Sequence, residues 1–266
     1  MAVMSNWVVT GVSGGIGRAL ADRILARGDR VVGTARRDEE VGLFRALAPG
    51  RSFALKLDLD DHPAVLELAG RSIELAGPID FVVNNAGRSL WSPVEDTPLD
   101  EAKALFDTNV FGPMAVMQSF LPHFRKRGEG VFVNMSSGCG LFGVPGVGAY
   151  CASKFALEGL SESVAAEAGA FGIKVMLVEP GAVRTRFISH STREVGHASA
   201  AYGPLAQGKS ALDAYYGDNA MPPEVVADRI MHALAGGNPP SRLVIGDDTR
   251  PAARAKFQSL VDILAE

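Results

Sequence analysis

Short apolar runs and helical stretches alternate along the chain. "NWVVTG" (6–11) reads as a buried strand, and "GIGRALADRILARG" (15–28) as a helix that stops at Gly28. The alternation continues with strands at 30–36, 52–59, 79–87, 130–137, 173–181 and 242–247. Helices are expected at 39–48, 63–77, 99–127, 148–171, 223–236 and 251–266, the long one at 99–127 bent or broken near Gly112 and Pro113. Apolar strands separated by helices predict an α/β fold: a doubly wound parallel sheet of about seven strands with helices on both faces. No Pro/Gly/Ser-rich linker interrupts residues 1–266, so a single domain is expected. The stretch 186–221 is rich in Gly, Ala, Ser and Tyr and predicts loops and short helices.

Composition narrows the function. Net charge is −4, which gives no footprint for nucleic acid. The two cysteines, Cys139 and Cys151, form no CxxC, and the histidines form no HExxH. No disulfide framework and no metal site are expected, the cysteines are read as inert, and a reducing compartment is the default. The start of the chain lacks the basic and apolar pattern of a signal peptide. No window reaches the ~18 apolar residues of a membrane span. The expectation is a cytoplasmic protein with no membrane partner.

The polar residues that end the strands gather the candidate chemistry. "TGVSGGIG" (10–17) lies between the first strand and the first helix and holds Gly11, Ser13, Gly14, Gly15, Ile16 and Gly17. Glycines there let the backbone turn and approach a pyrophosphate at the helix N-terminus. The second strand ends in Ala35, Arg36 and Arg37. An acid at this place would hold a ribose 2′-OH, whereas arginine accommodates a 2′-phosphate, so NADP(H) is expected over NAD(H). Asp58 and Leu59 end the third strand, Asp58 as an adenine acceptor or as a turn aspartate. Asn85, Ala86 and Gly87 end the fourth, and Pro180, Gly181, Val183 and Thr185 follow the sixth. Ligands of open α/β sheets bind outside these carboxyl ends.

Tyr150 and Lys154 lie four apart on the helix "AYCASKFALEGL" (149–160), with Ser137 thirteen residues before the tyrosine. The ordered set of "TGVSGGIG", Asp58, "NNAG", Asn109, Ser137, "YCASK" and "PGAVRT" resembles the short-chain dehydrogenase/reductase family, single-domain type, over about two-thirds of the chain. That resemblance implies a Rossmann-like fold, an NAD(P)-dependent oxidoreductase acting on CH–OH or C=O groups, and catalysis by Ser137, Tyr150 and Lys154. It gives Asn109 a proton-relay water, and 186–221 the place of a substrate lid. It also implies a homodimer or homotetramer paired through the two long helices. NADP-preferring members often carry a basic residue where this chain has Gly14, so the NADP expectation rests on Arg36 and Arg37. A cation one helical turn from a phenol lowers the pKa of the latter, which makes Tyr150 a fit general acid for carbonyl reduction. Leu141, Phe142, Val144 and Phe187, with Trp91, are candidates for an apolar substrate wall, for a small or moderately apolar carbonyl or secondary alcohol. A nucleotide-sensing binding protein on the same fold and an epimerase or dehydratase stay as alternatives.

Overall fold

The structure is a computed structural model that describes residues 4–185, 187, 192–194, 202, 205 and 220–265. In chain order its first half runs β1 (Asn6–Thr10), α1 (Gly15–Ala26), β2 (Arg30–Ala35), α2 (Asp38–Arg45), β3 (Ser52–Lys56), α3 (His62–Leu66), α4 (Leu68–Ala76), β4 (Phe81–Asn84) and β5 (Ser89–Trp91). The rest runs α5 (Leu99–Phe106), α6 (Gly112–Arg127), β6 (Gly130–Met135), α7 (Gly148–Ala168), β7 (Ile173–Pro180), β8 (Thr192–Glu194), α8 (Pro223–Ala235), β9 (Arg242–Ile245) and α9 (Thr249–Leu264).

Seven strands form one parallel sheet in the order β3-β2-β1-β4-β6-β7-β9. Successive residues of each strand point to opposite faces, so each strand feeds two cores. Trp7, Val9, Val31, Val83, Val133 and Met176 pack with Leu20 and Ile24 of α1 and Ile230 of α8 on one face. Val8, Val32, Val82, Phe132 and Val175 pack with Leu68 of α4, Phe120 and Phe124 of α6 and Val164 of α7 on the other. Burial on both faces is why these strands lack a polar alternation. The expected α/β sheet of seven strands is therefore present, in a Rossmann-like order.

Several expectations needed correction. The helix expected at 63–77 is two helices that meet at Glu67; Asp61 caps the start of the short first one, accepting a hydrogen bond from the Ala64 N–H at 3.2 Å. The break in the long helix falls before Gly112, as a π-helical turn at Asp107–Phe111; Pro113 then sits in the first turn of α6, where no N–H is needed. Strands end two to three residues early at the site edge. β3 stops at Lys56, so Asp58 lies beyond it, and β6 stops at Met135, before Ser137. Neither β5 nor β8 was expected; they pair in parallel as a separate two-stranded ribbon. Most of 186–221, the expected lid, lies outside the described residues. Among the described residues no helix is long and apolar enough to cross a membrane.

Candidate active site

The strand order reverses between β1, which leads to β2 and β3, and β4, which leads to β6 and β7. A crevice opens at such a switch point, outside the carboxyl ends of the strands. The glycine loop forms its floor. Gly11 and Gly15 hold left-handed φ angles of 73° and 56°. A Cβ on Gly17 would lie 2.3 Å from the Gly11 carbonyl oxygen and 2.4 Å from Asn85 Nδ2, so the loop and α1 meet too closely for any side chain. Gly14 is extended at the N-cap of α1, and no side chain caps that helix. The first N–H groups are thus left to an anion. Ser13 is exposed beside them, and Ile16 packs partly on the core.

Thr10 ties this floor to β4, a role the sequence reading missed. Its hydroxyl accepts hydrogen bonds from the Asn85 N–H at 2.9 Å and the Ala86 N–H at 3.0 Å. Asn85 Nδ2 in turn donates to the Thr10 carbonyl at 2.8 Å and the Gly11 carbonyl at 3.1 Å. On the far side, a Cβ on Gly15 would lie 3.1 Å from Thr185 Cγ2, so Thr185 faces the loop across the crevice. Gly181 and Ala182 are pinned by Asp248, also missed. Its Oδ2 accepts from the Ala182 N–H at 3.2 Å, and its Oδ1 would lie 2.1 Å from a Cβ on Gly181. Pro180 ends β7, and Val183 is buried and bridges to Met221.

At the end of β2, Ala35 is buried and Arg36 and Arg37 are exposed. Arg37 pairs with Glu40 at 2.6 Å, while Arg36 makes no ion pair among the described residues. Asp58 is exposed, with Oδ1 accepting from the Asp60 N–H at 3.2 Å; Leu59 is buried against Gly112. Asp58 thus makes a turn contact, and its second oxygen takes no bond within that turn. An N-terminal anion hole, a glycine floor without room for Cβ and an exposed arginine after β2 fit a dinucleotide phosphate.

Tyr150, Lys154, Ser137 and Asn109 come together at the same edge. Tyr150 and Lys154 are both buried on α7, with Lys154 Nζ 5.6 Å from the Tyr150 ring centroid. Lys154 Nζ donates to the Met135 carbonyl at 2.8 Å, and burial lowers its pKa to about 8. Ser137 Oγ accepts from the Cys139 N–H at 3.2 Å, which leaves its O–H proton to donate elsewhere. Asn109 sits inside the π turn, a distortion that often marks functional sites. Its Oδ1 accepts from the Arg88 N–H at 3.0 Å, and its Nδ2 donates to the Arg88 carbonyl at 2.9 Å and Ser153 Oγ at 3.0 Å. The side chain is therefore committed to holding the chain. A Cβ on Gly87 would lie 3.1 Å from Asn109 Oδ1 and 3.8 Å from Lys154 Nζ, which places Gly87 at the mouth. Neither Arg88, acting through its backbone, nor Ser153 carries a side-chain signature that a sequence scan could detect.

Of the candidate substrate wall, Val144, Phe187 and Trp91 cluster with Tyr150, and the Phe187 and Tyr150 rings are 5.9 Å apart. Leu141 is buried outside that cluster, and Phe142 packs beside Gly138 near Thr249. The two cysteines adjoin the same cluster, and their thiols interact. The shared bond and burial push Cys139 up, and the same bond draws Cys151 down. No group of three metal-ligating side chains occurs among the described residues.

The comparisons with known proteins agree with this architecture. The family model for short chain dehydrogenase matches residues 5–195. Oxidoreductase BOA17 of Botryotinia fuckeliana is 34% identical over 247 residues, covering 91% of this chain and 89% of its own. The NADPH-dependent pterin aldehyde reductase of Arabidopsis thaliana is 37% identical over 185 residues, 68% of this chain and 76% of that one. A crystal structure of a short-chain dehydrogenase from Streptomyces avermitilis superposes with a TM-score of 0.90 at 36% identity, covering 98% and 95% of the two chains. Two structures at 22% identity share the fold. One, from Burkholderia phymatum with NAD, has a TM-score of 0.82 over 96% and 92% of the chains. The other, from Burkholderia cenocepacia with NADP, has 0.76 over 100% of each. The chain belongs to the short-chain dehydrogenase/reductase family. It is an NAD(P)-dependent oxidoreductase working between alcohol and carbonyl groups.

Proposed function

We propose that the protein is an NADP(H)-dependent reductase of small or moderately apolar carbonyls, or the reverse alcohol dehydrogenase, with Tyr150 as general acid and base. The observation that carries this is the buried Lys154 beneath Tyr150, at the crevice whose floor is built for a dinucleotide. Nicotinamide, when bound, supplies or accepts the hydride. Gly11, Ser13, Gly14, Gly15, Ile16 and Gly17 cradle the pyrophosphate, and Thr185 closes on them. Arg36 takes the 2′-phosphate, with Arg37 weakened by its pairing to Glu40. Asp58 and Leu59 border the adenine. Asn85, Ala86 and Gly87 face the nicotinamide ribose with Lys154, and Pro180, Gly181 and Val183 hold the nicotinamide edge.

Ser137 donates its hydroxyl proton to the substrate oxygen. Tyr150 delivers its own proton to that oxygen during reduction and takes it back during oxidation. The Lys154 ammonium favours the phenolate that remains. Because the Asn109 side chain is occupied, the relay water belongs on the backbone of the π turn. Val144, Phe187 and Trp91 form the apolar wall that excludes water, while Leu141 and Phe142 stand further back.

Residues 1–266 form one domain in this reading, with 186–221 as its lid, in a cytoplasmic homodimer or homotetramer. Exposed Phe111 and Met114 around the start of α6, and Phe155 on α7, support pairing through those helices. Steady oxidation of NADPH with a panel of aldehydes and ketones tests the activity. Turnover of apolar carbonyls supports it, and no turnover with any carbonyl overturns it.

A further inference from the structure

One helical turn beyond Lys154, the helix places a second buried ionisable group. Tyr150, Lys154 and Glu158 are spaced four apart and lie on one stripe of α7. Glu158 is only 5% exposed. Behind it stands Glu179 of β7, 0% exposed. Both carboxylates meet one nitrogen of Arg242 on β9: Nη1 lies 2.5 Å from Glu158 Oε2 and 2.5 Å from Glu179 Oε1. The Arg242 Nη2 binds the exposed Glu162 at 2.5 Å. The register explains the meeting. Glu179 pairs with Val244, so Arg242, two residues back, shares its face of the sheet.

Two buried carboxylates on one cation nitrogen are an expensive arrangement for stability alone. The cluster is also incompletely satisfied. Glu158 Oε1, Glu179 Oε2 and Ser136 Oγ, all buried, form no well-shaped hydrogen bond. A Cβ on Gly140 would lie 2.4 Å from Ser136 Oγ and 3.0 Å from Glu158 Oε1, so the space between the Ser137 turn and Glu158 is closed to any side chain. A structural ion pair would be expected to fill its valences. This one instead leaves an oxygen of Glu158 without a well-shaped hydrogen bond, on a residue one helical turn from the catalytic lysine.

We infer that Glu158 is a positioning residue for Lys154: the Glu158–Arg242–Glu179 cluster at the back of α7 keeps the Lys154 ammonium charged where it underlies Tyr150. This rests on the catalytic reading of Tyr150 and Lys154. The division of labour follows from the partners. Burial, then repulsion by Glu158, raises Glu179 to about 7, and Arg242 opposes that rise. Glu158 is raised by burial too, but the Ser136 side chain and Arg242 oppose that rise. Its charge lies one helical turn from Lys154. Burial pulls Lys154 down, and the Cys139 thiol and Glu158 are the groups that push it back. The other neighbours of Lys154 are polar without charge: the Met135 carbonyl of β6, Asn109 of the π turn at the Gly87 mouth, and the Tyr150 phenol on its own helix.

The test is a titration of the Lys154 side chain in the full-length protein, followed by NMR of 13Cε-labelled lysine and assigned with Lys154→Arg. Wild type should titrate near 8. Glu158→Gln should move that midpoint down by about one unit. Glu179→Gln, whose carboxyl acts on Glu158 and not on the lysine, should not move it down. Glu158→Met provides the same loss of charge if the amide is not tolerated in the fold. An unchanged midpoint in the Glu158 variants overturns the inference, and so does an equal drop in the Glu158 and Glu179 variants, which would mark a general structural effect. The titration requires no turnover, so its failure is distinct from failure of the catalytic reading, which Tyr150→Phe tests separately.

Discussion

In the proposed reading, Arg36 carries the preference for NADP(H) almost alone. Ala35 removes the acid that would repel a 2′-phosphate, Gly14 offers no cation, and Arg37 is engaged by Glu40. The acidic first turn of α2, with Asp38, Glu39 and Glu40, further tempers the local field. A charge-assisted arginine contact contributes about 1.5–3 kcal/mol, or roughly ten- to hundredfold in affinity. Arg36→Ala should raise the KM for NADPH by about that factor and change that for NADH little. Ala35→Asp should shift the preference toward NADH. Steady-state kinetics with both cofactors check this, and equal effects on both would remove Arg36 from the phosphate site.

At the scale of elements, the tightest constraint is where α1 leaves β1. The Gly17 position is bounded by the Gly11 backbone oxygen and by Asn85, which Thr10 and Gly11 hold in place. Neither can retreat as a flexible side-chain end could. Gly17→Val should therefore weaken NADPH binding by at least about tenfold, roughly 1.4 kcal/mol, as read by nucleotide fluorescence titration. A variant that binds like wild type would show that the loop is not the phosphate cradle. The strands, most helices and the order of site residues were legible in the sequence because both cores impose a simple pattern and the polar residues sit at strand ends. The π turn at Asp107–Phe111 was not, since its sequence reads as ordinary helix and the bridges Asn109 makes there, to Arg88 and Ser153, join residues far apart in the chain. The β5–β8 ribbon was equally hidden, because strands of three residues carry no period. Thr10 and Asp248 act by bonding backbone groups brought near by the fold, which leaves no local signature.

At the scale of the molecule, the buried acids behind α7 link stability to pH. Glu179 is raised in the fold from its ordinary 4.5 to about 7. An acid raised on folding contributes stability that is full below 4.5 and is lost as pH climbs through about 7. Glu179→Gln should escape that loss, so its melting temperature relative to wild type should rise between those limits; a constant difference would show that Glu179 does not titrate in the fold. The apolar residues Phe111, Met114 and Phe155 left exposed on the long helices predict a dimer or tetramer, and a concentration-independent monomer by light scattering would contradict that assembly. The central claim remains the proton donor. The most direct measurement is NADPH oxidation with a turned-over carbonyl, compared between wild type and Tyr150→Phe, alongside NADPH binding to each. The account predicts unchanged cofactor binding and a kcat lower by roughly a hundred- to ten-thousandfold; near-normal turnover in the phenylalanine variant would contradict it.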